Sequence, residues 1–175
     1  MKLTAVALII VLPIRYFVAQ PFIVSGASME PTFYSKEYLV IDELSYRFIE
    51  PQRGDIVIFR YPYDPAIYFI KRIVGLPNET VDVKDGLVSI RDAIGNTTIL
   101  SEPYVALENG KKESNSVTLE DNEFFVLGDN RNESSDSRVW WPLDKKFIIG
   151  RAFARLLPVQ QIKLFPGAHH VDLLP

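Results

Sequence analysis

The chain has 175 residues and a mass of 20.0 kDa, enough for one well-filled core and a small second lobe but not for two large independent domains. Its formal net charge is -3 and its Lys and Arg residues form no basic stripe, so nucleic acid is not an expected partner. Cysteine is absent, which removes thiol nucleophiles, thiolate metal sites and disulfides together.

Lys2 precedes an apolar stretch from Leu3 to Ile14, Arg15 interrupts it, and Tyr16-Phe17-Val18-Ala19 resumes. The uninterrupted run is shorter than the roughly 18 residues of a bilayer span, and it becomes adequate only if Arg15 snorkels to the interface beside the two aromatic rings. A cleavable signal peptide is the competing reading, weakened by Pro21 and by the lack of a clean small-x-small site. The expectation is an uncleaved membrane-anchor helix over residues 1–24, with Lys2 and the terminal amine on the cytoplasmic side.

The segment Ser25-Gly26-Ala27-Ser28-Met29-Glu30-Pro31-Thr32 then presents a hydroxyl where the anchor ends. From Phe33 onward short runs rich in β-branched and aromatic residues read as strands: Tyr38 to Asp42, Asp55 to Arg60 after a Pro-Gln-Arg-Gly turn, and Tyr68 to Val74. Glu79 to Lys84 and Leu87 to Arg91 flank Asp85-Gly86, the strongest short hairpin signal in the chain. Asn96 to Leu100 continues that excursion, and Glu108 to Ser116 is polar enough to read as a loop. Glu123 to Leu127 and Ile148 to Leu156 return to strand texture on either side of a polar cluster from Gly128 to Arg138. These runs divide into a β core at 25–77 and 118–175 and an inserted β lobe at 78–117.

A serine hydroxyl is a weak nucleophile at neutral pH and needs a base within hydrogen-bond reach. The two histidines, His169 and His170, stand side by side near the C-terminus and read as solvated tail residues. The base for Ser28 must then be a carboxylate or a lysine, and a lysine serves only where burial lowers its pKa. Lys71, between Phe69, Ile70, Ile73 and Val74, has the apolar setting for that. Taken bare, a serine and a lysine carry no weight, and Lys71 reads equally as a strand residue facing water.

The combination carries more. Ser28-Met29-Glu30-Pro31-Thr32, Arg53-Gly54-Asp55-Ile56-Val57-Ile58-Phe59, Ile70-Lys71-Arg72-Ile73-Val74-Gly75-Leu76-Pro77 and the box from Gly128-Asp129-Asn130 to Ser137-Arg138 follow the apolar segment in order. In these four boxes the chain resembles the type I signal peptidases, membrane-anchored Ser-Lys endopeptidases that remove signal peptides from exported proteins.

The resemblance implies a mainly β fold of coiled antiparallel sheets, of the signal peptidase/LexA-like type, behind one N-terminal membrane-anchor helix. It implies Ser28 as nucleophile, Lys71 as general base, and Ser134 as the hydroxyl that orients the Lys71 amine. Arg72 with Asp129, and Asp136 with Arg138, become ion pairs bracing the site; as plain surface pairs they would contribute little. The Ser28 backbone N–H is the expected oxyanion donor. Some members add a serine hydroxyl two residues before the nucleophile, a place held here by Gly26.

Met29 matches a position that shapes the nucleophile turn beside the substrate, and Phe22, Val24, Phe33, Phe69 and Ile70 match positions that line the substrate cleft, although these five read equally as core. Phe33 and Tyr34 are candidates for contact with the membrane surface. The implied partners are signal peptides of exported preproteins and membrane lipid, with no nucleic acid, cofactor or metal. The implied location is the plasma membrane, crossed once, with the catalytic body on the extracytoplasmic side. Two other readings remain at this level. A self-cleaving Ser-Lys repressor would begin with a DNA-binding module in place of an anchor, and a non-catalytic peptide-binding module would keep the cleft but lose Ser28 or Lys71.

Overall fold

Runs of Val, Ile, Phe and Tyr punctuated by Gly, Pro and Asp build thirteen strands among the described residues, with little helix between them. The computed structural model describes residues 19–105, 114–168 and 173–174. The large sheet contains β1 (Ala19–Ile23), β2 (Tyr38–Asp42), β3 (Ile56–Tyr61), β4 (Asp64–Gly75), β9 (Glu123–Leu127), β10 (Leu143–Asp144), β11 (Ile148–Leu157) and β12 (Lys163–Leu164). Its order is β1-β2-β11-β3-β4-β9-β10, with β12 added on β11. The second sheet contains β5 (Thr80–Lys84), β6 (Leu87–Arg91), β7 (Thr97–Leu100), β8 (Ser114–Thr118) and β13 (Leu173–Leu174), in the order β13-β7-β6-β5-β8. Every strand pair is antiparallel.

The hairpin of β5 and β6 turns on Asp85 (φ 50°) and Gly86 (φ 83°), two left-handed residues whose twist matches that of the strands they join. Where β4 leaves the large sheet, Val74 joins Val81, Val83, Val88, Ile90, Leu100, Leu119, Phe125 and Leu127 in one core cluster shared by both sheets. Gly75 lies at that junction, where an added Cβ would overlap Val81, Leu119 and Phe125. Two further clusters cover the faces of the large sheet, one around Phe33, Leu39, Ile56, Ile58 and Ile70, the other around Val57, Phe59, Phe124, Val126 and Trp140.

Two expectations are corrected here. Residues 19–23 form the edge strand β1, with Phe22 opposite Leu39, and are not the end of an anchor helix. Pro21 lacks an N–H, and an edge strand can spare one. Ser114 to Ser116, read as the end of a polar loop, belong with Val117 and Thr118 to the edge strand β8. It escaped notice because only Val117 packs on the core from that strand. The rest of the proposed anchor (1–18), most of the polar loop (106–113) and both histidines lie outside the described residues. Among the described residues no helix is long and apolar enough to cross a membrane.

Candidate active site

Ser28 opens a tight turn. The Glu30 N–H donates to the Ala27 carbonyl (3.1 Å) and the Phe33 N–H to the Met29 carbonyl (2.8 Å). Met29 and Phe33 are driven into the core, which leaves Ser28 half-buried at the mouth of a cavity of about 230 Å³. The Asn130 N–H donates to the Ser28 carbonyl (3.0 Å) and ties this turn to the segment after β9. The Ser28 N–H donates to no other described residue.

Strand periodicity places Lys71 on the same face of β4 as Phe69 and Ile73, opposite Val57 of β3. All three are apolar, and Lys71 is 3% exposed. Its Nζ lies 2.7 Å from Ser28 Oγ and 2.9 Å from the Ile70 carbonyl, to which it donates. Burial pulls the amine down to about 8, against the opposite pull of the Asp136 and Asp129 carboxylates. At neutral to mildly alkaline pH a share of the amines is free to take a proton from Ser28.

The other face of β4 carries Arg72, fully buried. Its Nε and Nη2 donate to the two carboxylate oxygens of Asp129 (2.9 and 2.7 Å), and its Nη1 donates to the carbonyls of Gly54 (3.0 Å) and Gly167 (2.7 Å). The guanidinium also stacks 3.8 Å from the Tyr104 ring centroid. Thr32 Oγ1 donates to Asp129 Oδ2 (2.5 Å), so one carboxylate joins the nucleophile turn to the strand of the lysine. Asp136 receives Arg138 Nε (2.8 Å) and Nη2 (2.9 Å) and the Gly128 N–H (3.1 Å), and it caps the short helix α1 (Ser137–Trp140). The structure therefore brings together each of the two charged pairs read in the sequence. Arg72 and Asp129 are buried rather than solvated.

Other expected contacts differ. Ser134 Oγ makes no hydrogen bond to Lys71; it is buried without a partner. The hydroxyl packs directly on Gly128, beside the Ser28 carbonyl, because the box from Gly128 to Arg138 folds back over the nucleophile turn. Phe22, Phe69 and Ile70 line the cavity next to Ser28. Val24, Met29 and Phe33 do not: all three are core residues, and the Arg155 guanidinium covers the Phe33 ring at 4.8 Å. Full burial also removes Phe33 from the surface, while Tyr34 is exposed.

Several supports were not read from the sequence. Arg131 Nη2 pairs with Glu102 Oε1 (2.6 Å) while its Nε holds the Gly128 carbonyl (3.0 Å), and Arg155 reaches the Thr32 carbonyl. Glu102 and Arg155 lie far from Ser28 in sequence and carry no local motif. Only the fold joins them to it.

Residues 1–157 match the model of the family described as signal peptidase, peptidase S26. The probable signal peptidase I-1 of Synechocystis sp. is 40% identical over 166 residues, covering 91% of this chain and 82% of that protein. Signal peptidase I of Leptolyngbya laminosa is 36% identical over 168 residues, covering 92% and 80%. A crystal structure of a signal peptidase I from Enterococcus faecalis aligns with a TM-score of 0.50 and 31% identity, covering 59% of this chain and 97% of that one.

The chain belongs to the signal peptidase family, peptidase S26, a family of serine-protease hydrolases. Within that family it falls with the type I signal peptidases, whose substrates are preproteins carrying signal peptides.

Proposed function

We propose that Ser28 and Lys71 form the catalytic pair of this type I signal peptidase. The observation that carries the reading is the 2.7 Å separation of Lys71 Nζ and Ser28 Oγ at a buried amine. The neutral amine accepts the Ser28 proton as Oγ attacks the scissile carbonyl, and the ammonium then gives that proton to the leaving amine. A water that loses its proton to Lys71 hydrolyses the acyl-enzyme. The oxyanion faces the Ser28 N–H, which is free to donate. Gly26 adds no hydroxyl, and its φ of 90° would strain any side chain placed there.

Ser134 keeps its proposed role as an orienting hydroxyl. Its Oγ is buried without a partner close to the Ser28 turn, which is what leaves it available for that role. The pairs Arg72–Asp129 and Asp136–Arg138 hold the two segments that carry the dyad.

An extended substrate beside Ser28 presents alternate side chains to the protein, so residues -1 and -3 meet Phe22, Phe69 and Ile70 while -2 points away. The reading places small residues at -1 and -3, and Pro at +1 becomes inhibitory. Residues 1–18 are assigned as the membrane anchor, with the β body on the extracytoplasmic side; the core read at 25–77 and 118–175 gains β1, and the inserted lobe read at 78–117 gains Thr118 and β13. The test is cleavage of an exported preprotein by the detergent-solubilised enzyme, with the new N-terminus sequenced. Ser28→Ala and Lys71→Arg are each expected to fall below about a hundredth of the parent rate, since neither an absent hydroxyl nor a permanently charged guanidinium can serve. Activity above that level in either variant removes the dyad.

A further inference from the structure

Lys71 Nζ stands over the ring of Phe69, 5.2 Å from its centroid, on the same face of β4. The ring is not free to turn. Tyr61 stacks on it at 4.8 Å with 28° between planes, Phe59 meets it edge-on at 6.1 Å, and Tyr61 in turn abuts Trp140 at 6.0 Å. A leucine would exclude water from the amine equally well. An oriented aromatic face does something a leucine cannot, because its quadrupole attracts a cation and is nearly indifferent to a neutral amine.

We propose that Phe69 is a positioning residue for the base, stabilising the Lys71 ammonium that forms as Ser28 gives up its proton. The proposal rests on the Ser28–Lys71 reading. Its value to catalysis is differential: wherever the amine is free the ground state is neutral and the transition state holds a forming cation, so the ring lowers that barrier while raising the resting amine's titration only modestly. A carboxylate in its place would bind the charged form in the resting enzyme. The carboxylates that act on Lys71, Asp129 and Asp136, are already engaged by Arg72 and Arg138. Glu133 lines the cavity, and the flanking Val57 and Ile73 are uncharged.

The experiment uses the full chain in detergent, with Phe69 replaced by mono-, di- and trifluorophenylalanine, which weaken the quadrupole stepwise at nearly constant size, and by Phe69→Leu. Two quantities are followed: the pH dependence of kcat and KM on a small-x-small peptide, and the titration of the Lys71 amine by nitrogen NMR of labelled lysine. The expected result is a stepwise move of the ascending limb and of the amine titration to lower pH, reaching about 0.4 to 1.5 pH units for the leucine variant, with kcat falling more than KM rises. An unmoved limb and titration, with KM raised, would make Phe69 a cleft wall only and overturn the proposal. If Phe69→Leu fails to fold, the fluorinated series decides. The NMR titration reads the amine even if Ser28→Ala were to keep its activity, so failure of the dyad and failure of the aromatic contact are told apart.

Discussion

Lys71 is held between burial, which disfavours its charge, and two carboxylates, which favour it; burial wins and the amine titrates near 8. The rate of peptide cleavage is therefore expected to rise through an apparent pKa near 8 and level off above it, and a rate that climbs on to pH 10 would show a solvated lysine. The same shift acts on stability. Because the amine is depressed from 10.5, the unfolded chain binds more protons between about 8 and 10.5, so stability rises with pH across that window and this contribution is lost as pH falls to 8. Lys71→Met, which removes the buried amine, is expected to raise the denaturation midpoint at pH 7 and flatten that rise while abolishing cleavage. Asp129 shows the opposite situation, a buried carboxylate holding Arg72 and Thr32. Asp129→Asn strands the Arg72 charge and is expected to cost about 3–5 kcal/mol in denaturant melts, whereas breaking the exposed Arg91–Asp82 pair costs at most about 1 kcal/mol.

At the level of elements, two glycines set how closely segments approach. Gly75 lets β4 pass between Val81, Leu119 and Phe125, so Gly75→Ala is expected to cost about 1–3 kcal/mol by overpacking the junction of the sheets, with activity altered only as far as stability is. Gly128 ends β9 against the Ser28 carbonyl and the Ser134 hydroxyl. Gly128→Ala must push the nucleophile turn outward, and a small displacement there costs rate steeply. The expected result is a drop in kcat of at least tenfold in protein that still melts cooperatively, and equal losses of kcat from the two glycine variants would contradict this division.

Across the whole molecule, the proposed function makes substrate choice a matter of the cleft beside Ser28 and location a matter of the N-terminal segment. Varying substrate positions -1, -2 and -3 singly, we expect kcat/KM to collapse for Leu or Phe at -1 or -3 and to tolerate bulk at -2, because Phe22, Phe69 and Ile70 bound the cavity sterically and bear no charge. Rejection at -2 with acceptance at -1 would reverse the register. The full chain is expected to stay with membranes after alkaline carbonate washing, and protease outside spheroplasts should degrade the β body; full protection of the body would reverse the topology.

Much of the site was legible in the sequence because it is carried by local boxes. Ser28 in its turn, Lys71 within an apolar run, and the acidic and basic residues of the Gly128 to Arg138 box stand in short segments whose order and resemblance to a known family, rather than any one residue, singled them out. Strand periodicity likewise made most of β2 to β7, β9 and β11 readable, since alternation and turn residues are short-range signals. Long-range partnership left no such trace. That Val24, Met29 and Phe33 belong to the core while Phe22, Phe69 and Ile70 line the cavity depends on which sheet face each meets. That Ser134 packs on Gly128 depends on a chain reversal, as do the supports from Glu102, Arg155 and Gly167. Edge strands were hardest to read. Pro21 in β1 and the polar β8 satisfy few of the demands of a sheet interior, and only their pairing with β2 and β5 makes them strands. Sequence alone singled out Ser28 and Lys71 as the candidates for the chemistry; the packing of two sheets decided which of their neighbours can touch them, because burial is a property of the pair of surfaces and not of either segment.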